Sequence, residues 1–212
     1  MKDPRYDALA RQLVRYSTET KKGENVLIEL FDVPEEMGIS LIREVRAVKA
    51  TPFINIHHAR IPREMGRGAT EEQYGSIAKH AMHQMKNMDC YIAIRGSHNV
   101  NELSDVPAAK MQMLSTKMRP VLNQRVNKTR WCVLRWPHAS MAQSAGMSTE
   151  AFEDFYFKVC LLDYGKLKRG MSALAKLMTE ANEVHIQGPG TDLRFSIKGL
   201  PGIACGGNQS HG

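Results

Sequence analysis

The chain has 212 residues, enough to bury a sizeable core, and its 42% apolar and 24% charged content excludes an intrinsically disordered protein. A net charge of +7 permits attraction to nucleic acid, yet the basic residues are dispersed and no RNP-like, helix-turn-helix or zinc-finger pattern accompanies them. No apolar run is long enough to span a bilayer, and the opening MKDPRYDALARQ lacks the apolar core of a secretory signal, so a cytoplasmic protein is the expectation.

In chain order, helix and strand alternate. Residues 5–21 predict an amphipathic helix with Leu9, Leu13 and Tyr16 on one side, closed by Gly23. Residues 26–31 are an apolar strand, as strands buried on both faces of a parallel sheet usually are. Pro34, Glu35 and Glu36 suit the first turn of a helix that carries Met37, Leu41, Val45 and Val48 inward to about Lys49. Residues 52–57 are a second strand, followed by a polar, glycine-containing loop. Thr70 and Gln73 then have capping-box form and open a third helix, striped by Tyr74, Ile77, Ala81, Met85 and Met88.

Residues 89–95 are a third strand, with a Gly-Ser-His-Asn loop after it. A helix from about Pro107 to Val126 has Pro120 as a kink point. The fourth strand, from Arg130 to Trp136, ends at Pro137. A loop of small residues leads to helices from Ser148 to Glu180. The first of these is capped by Ser148 or Thr149 and presents Phe152, Phe155, Tyr156, Val159 and Leu162 as its apolar face. These repeated units predict an α/β fold, a parallel sheet wrapped by helices, over residues 1–181. From 182 to 212 the pattern changes. The arms 183–187 and 193–197 flank Gly-Pro-Gly-Thr-Asp as an antiparallel hairpin, the start of a β domain that the glycine-rich tail does not complete. Unfinished strand edges of this kind predict self-association.

Candidate chemistry is sparse. The first strand is not followed by GxGxxG, and no GxxxxGK[ST] occurs, which excludes the dinucleotide and P-loop signatures. The loop Gly96–Asn99 stands at the carboxyl end of a strand, where open parallel sheets bind ligands, and His98 is a candidate base there. Its loop position and lack of an identifiable carboxylate partner favour a plain polar loop. His57 and His58 end the second strand and point opposite ways, so they do not chelate one ion together. His80 and His83 share a helix face without the glutamate and i, i+4 spacing of a zinc protease, and a surface pair is the simpler account. Glu150, Glu153 and Asp154 offer ligand oxygens, but a helix's positive first turn already explains them. Ser140 and Ser144 lie near His138 without a nucleophile elbow. Cys90, Cys132, Cys160 and Cys205 are widely spaced and are expected to be reduced thiols.

Two long phrases carry a resemblance: Trp136 to Phe157, WPHASMAQSAGMSTEAFEDFYF, and Gln187 to Ile197, QGPGTDLRFSI. In order and spacing they resemble the aminopeptidase T family of metal-dependent aminopeptidases. The likeness runs from about Arg5 to Ile197 and covers that family's first half. It implies an α/β domain followed by a domain holding a pair of divalent metals (zinc, cobalt or magnesium), and release of N-terminal amino acids from peptide substrates. The first metal-ligand glutamate of that family would stand in an NIPDGE-like phrase soon after the hairpin. The corresponding stretch here, Gly206 to Gly212, has no such glutamate, and His138 replaces the threonine expected after Pro137. No catalytic, cofactor-binding or metal-ligand residue therefore carries over. The expectation is a truncated form, inactive alone and binding no metal specifically, with a non-catalytic peptide- or partner-binding module as the alternative and a basic nucleic-acid-binding domain as a weaker one.

Overall fold

The computed structural model describes residues 3–207, which form two compact units, one up to Leu161 and one spanning Leu162–Gly207. The sequence places the change of mode after residue 181. Compactness groups the last helix with the hairpin instead.

The first unit is built on four parallel strands in the order β2-β1-β3-β4. Its elements are α1 (Pro4–Arg11), β1 (Asn25–Phe31), α2 (Glu35–Ala47), β2 (Thr51–His57), α3 (Arg60–Gly68), α4 (Glu71–Lys86), β3 (Cys90–Arg95), α5 (Ala108–Lys128), β4 (Arg130–Arg135), α6 (Ala139–Ser144) and α7 (Thr149–Cys160). Alternation along each strand sends residues to two cores. Val26, Ile28 and Leu30 of β1 meet Leu9 and Leu13 from the first helix and Met37, Leu41 and Val45 from α2, all at most 3% exposed. Each such residue contributes about 1.5–3 kcal/mol on burial. Leu27, Tyr91 and Ala93 face the other way, under Met85 and Met88 at the end of α4 and Val121 of α5.

Several predicted devices take the expected form. Thr70 and Gln73 make a reciprocal capping box, and Pro120 is housed inside α5. The first helix loosens into a π-helical turn over Gln12–Ser17, closed where the Thr18 amide and hydroxyl both donate to the Leu13 carbonyl. Strand β2 is a sheet edge. Thr51 N–H donates to Glu24 O and His57 O accepts from Asp32 N–H, so the odd-numbered residues bond to β1 and the even-numbered ones face outward. Pro52 therefore occupies an outward position where its missing donor costs no ladder bond.

Three sequence expectations are corrected. The predicted loop after β2 contains α3, tolerated because Pro62 falls in its first turn. The small-residue loop after β4 contains α6. The apolar face expected on α7 is also rotated. Phe157 is 2% exposed, ringed by Tyr6, Trp136 and Tyr156, whereas Phe155 is 55% exposed. Aromatic packing onto Trp136 fixes the rotation that helical periodicity alone left open.

The second unit comprises α8 (Tyr164–Glu180) and the antiparallel pair β5 (Glu183–Gly188) and β6 (Thr191–Ser196). After the hairpin the chain returns along α8. Gly202 N–H donates to Thr179 Oγ1 at 2.9 Å, and a Cβ on Gly202 would lie 2.3 Å from Ala175 O. The part of the tail compared with the metal-ligand phrase at 208–212 lies outside the described residues.

Candidate functional site

Strand β1 pairs with β2 on one side and β3 on the other, so the connections diverge at the carboxyl ends of β1 and β3. That is the switch point where doubly wound sheets open a crevice. Ladder bonds run past the strand ends and fix the loops there: Asp32 N–H to His57 O, Gly96 N–H to Phe31 O and Trp136 N–H to Arg95 O.

A cleft of about 840 Å³ opens at this place, lined by residues from the loops after β1, β2 and β3, Asp32, His58 and His98 among them, and by the exposed side of α3. Asp32 holds a left-handed backbone (φ 48°) and is almost buried. Its carboxylate accepts from Ala59 N–H at 3.2 Å, ahead of α3, and stands 3.4 Å from His58 Nδ1. His138 from the fourth strand's loop contacts the Asp32 carbonyl through Nε2, and its ring centre is 4.3 Å from that of His98. Burial, helped by the neighbouring His98 ring, holds His138 below the usual imidazole value against the pull of the Asp32 carbonyl. Gly96 lies where these loops cross. A Cβ there would be 2.4 Å from His138 Nε2 and 2.7 Å from Asp32 O, so only glycine fits without displacement.

The crevice thus gathers His58, His98 and His138 around Asp32, while the remaining candidates go elsewhere. His57 turns to the opposite side of the strand, stacked on Phe31 and 3.5 Å from Glu29. His80 and His83 are exposed on α4. Glu153 and Asp154 pair with Arg5, the latter at 2.7 Å, and Ser148 caps α7 by accepting from Ala151 N–H, with Glu150 in its first turn. Ser140 Oγ donates to Ser97 O and Ser144 Oγ to Ser140 O, so both hydroxyls are spent on backbone. Burial pushes the Cys132 and Cys160 thiols up, as it does the Cys90 thiol beside Arg130. These are poor nucleophiles at neutral pH.

One half-buried polar group escaped sequence reasoning. Glu29, in the middle of an apolar strand, accepts from Tyr91 Oη beneath α4 and α5. Burial alone would raise its carboxyl, but the neighbouring His57, Tyr91 and Asn55 side chains outweigh that and lower it. A lone glutamate within VLIELF was the available signal.

The metal pair implied by the resemblance does not fit these donors. Asp32 and His58 form a pair without a third ligand, and His138 already spends a ring nitrogen on a carbonyl. Among the described residues no three His, Cys, Asp or Glu side chains come together as a ligand set. No helix of the described chain is long and apolar enough to cross a membrane.

Residues 2–210 match the family model described as thermophilic metalloprotease (M29). Among solved structures, wild-type AmpT from Thermus thermophilus shares the fold with a TM-score of 0.72 at 17% identity, over 91% of this chain and 53% of that chain. The chain therefore spans about half the length of that relative. No curated protein matches in sequence.

Proposed function

Because the chain belongs to the thermophilic metalloprotease (M29) family, we propose that it serves metal-dependent release of N-terminal amino acids from peptides, as the amino-terminal α/β portion of such an enzyme. The observation that carries this reading is the family match from residue 2 to residue 210, which takes in both sheets. The switch-point cleft gives the α/β unit a place to hold part of a peptide. Asp32 offers a carboxylate to a cationic group, while His58 and His98 offer ring nitrogens at the mouth. Hydrolysis itself needs several ligands to fix two ions and leave a position open for water. On this reading those ligands belong to residues other than the described ones, among which no three such side chains come together.

The 212-residue chain is accordingly expected to show no turnover of aminoacyl-nitroanilides with added zinc, cobalt or magnesium. It is expected to bind short peptides in the cleft, with Asp32→Asn weakening binding of a free N-terminus more than of an acetylated one. Metal-dependent turnover that tracks with the purified chain would overturn the division of labour. Equal loss for both peptides on Asp32→Asn would remove the carboxylate from recognition.

A further inference from the structure

Beside the main cleft a smaller pocket of about 310 Å³ opens over the ends of β3 and β4. Its apolar wall is Phe31, Pro62, Val100 and Leu103, and its polar side is Arg95 and Arg135. These arginines are the last residues of their strands and direct register partners, so they leave the same face of the sheet on neighbouring strands. Strands in a sheet are about 4.8 Å apart, and like charges placed directly opposite are unfavourable.

Four arginines of the unit, Arg5, Arg15, Arg63 and Arg130, each pair with a carboxylate. Among the described residues neither Arg95 nor Arg135 has an ion pair, and the Arg95 guanidinium instead stands 5.7 Å over the Phe31 ring. The one carboxylate on the rim, Glu102, accepts from Asn99 Nδ2 at 3.3 Å.

We propose that this pocket binds an organic carboxylate carrying an apolar substituent, the carboxylate held between Arg95 and Arg135 and the substituent against Phe31, Val100 and Leu103. Guanidinium groups match a carboxylate in planar, two-pronged fashion, and two of them facing one pocket relieve their mutual repulsion when the anion enters. The apolar wall separates this from a bare oxyanion site, which has no use for one. Resting on the peptide reading above, the natural occupant is the C-terminal end of a short peptide whose last side chain is apolar. Both pockets draw on Ala59, Asn99 and Glu102, so one peptide can extend from the cleft into this pocket.

The test is calorimetric titration of the 212-residue chain, without metal, using acetyl-leucyl-phenylalanine, its C-terminal amide and inorganic phosphate. The acid is expected to bind at least tenfold more tightly than the amide, and to lose affinity as salt rises. Arg95→Gln and Arg135→Gln should each weaken the acid about tenfold and leave the amide unchanged, with Arg135→Lys intermediate. Without ligand, Arg135→Gln should melt no lower than the parent, because it removes a repulsion. Equal binding of acid and amide, absence of binding, phosphate binding as tightly as the acid, or a Gln variant that keeps full affinity would each overturn the proposal. These titrations need no catalysis, so failure of the aminopeptidase reading would appear separately, in the turnover assay.

Discussion

Replacing Gly96 by alanine tests whether the three loops of the crevice are held by mutual contact. The added Cβ would lie 2.4 Å from His138 Nε2, 2.5 Å from His138 Cδ2 and 2.7 Å from the Asp32 carbonyl oxygen, all well inside van der Waals range. The ring can swing away only by giving up its contact with Asp32 O, and the carbonyl belongs to backbone fixed by the Asp32–His57 ladder bond. Overpacking of this kind costs about 1–3 kcal/mol. Gly75 is the internal control. It is a helix-interior glycine of α4 whose Cβ would meet nothing within 4 Å, so Gly75→Ala should stabilise by about 0.5–1 kcal/mol. Urea denaturation of both variants should therefore move the midpoint in opposite directions. Adding His138→Ala separates the two clashes. With the ring gone only the carbonyl contact remains, and Gly96→Ala should cost less there by about 0.5–1 kcal/mol. If Gly96→Ala costs the same in both backgrounds, or is neutral in the parent, the account of the loop junction is wrong.

Further outcomes follow from the charged and apolar groups. His138 is held below the usual 6.5, chiefly by burial, so below that value the unfolded chain takes up a proton that the folded chain refuses. Stability is then full above pH 6.5 and falls as pH drops through the folded value, and His138→Gln should flatten the urea midpoint between pH 7.5 and 5.5; an unchanged slope would contradict this. Glu29, lowered by its His57, Tyr91 and Asn55 neighbours, should add a further loss only below its usual 4.5, absent in Glu29→Gln. Arg130 joins Glu24, Thr18 O at 2.9 Å and Cys90 Sγ at 3.2 Å, so Arg130→Met should cost about 1.5–3 kcal/mol, and lysine, with one ammonium, should recover less than half. Ile186, Leu193 and Phe195 of the hairpin are 42–50% exposed, and the full chain should self-associate on size exclusion more than one ending at Glu180. A shortened chain that unfolds while the parent stays monomeric would place the hairpin within the fold of the first unit.

Strands β1 and β3 were legible because burial on both faces writes itself as uninterrupted apolar runs, and all four strands fall within a residue or two of their predicted bounds. Caps were legible for a similar reason, since Thr70, Gln73 and Ser148 act on amides only a few residues away. Helix α3 was hidden because Pro62, Gly66 and Gly68 carry breaker chemistry, and the surroundings override it. For the crevice, the sequence singled out His58, His98 and His138 one at a time. It gave no means to assemble them, because that requires knowing that β1 lies between β2 and β3. Nothing in the sequence singled out Asp32 as a site residue. Its left-handed turn under Ala59 is a property of the loop crossing.

The strand order carries a consequence for how the chain reaches this state. Ile28 pairs with Ile54 across about 26 residues, whereas Val26 pairs with Cys90 across about 64, so closing the second loop costs roughly 0.8 kcal/mol more in chain entropy. The parallel β1–α2–β2 unit is thus the cheaper nucleus, and β3 is expected to join a preformed edge of β1. During that interval β1 is an unpaired apolar edge on one side, open to intermolecular capture, while on the far side of β2 Pro52 denies a docking strand one of its ladder bonds. Pulse-labelled hydrogen exchange should show amides of β2 protected before those of β4; the reverse order would move the nucleus to the other half of the sheet.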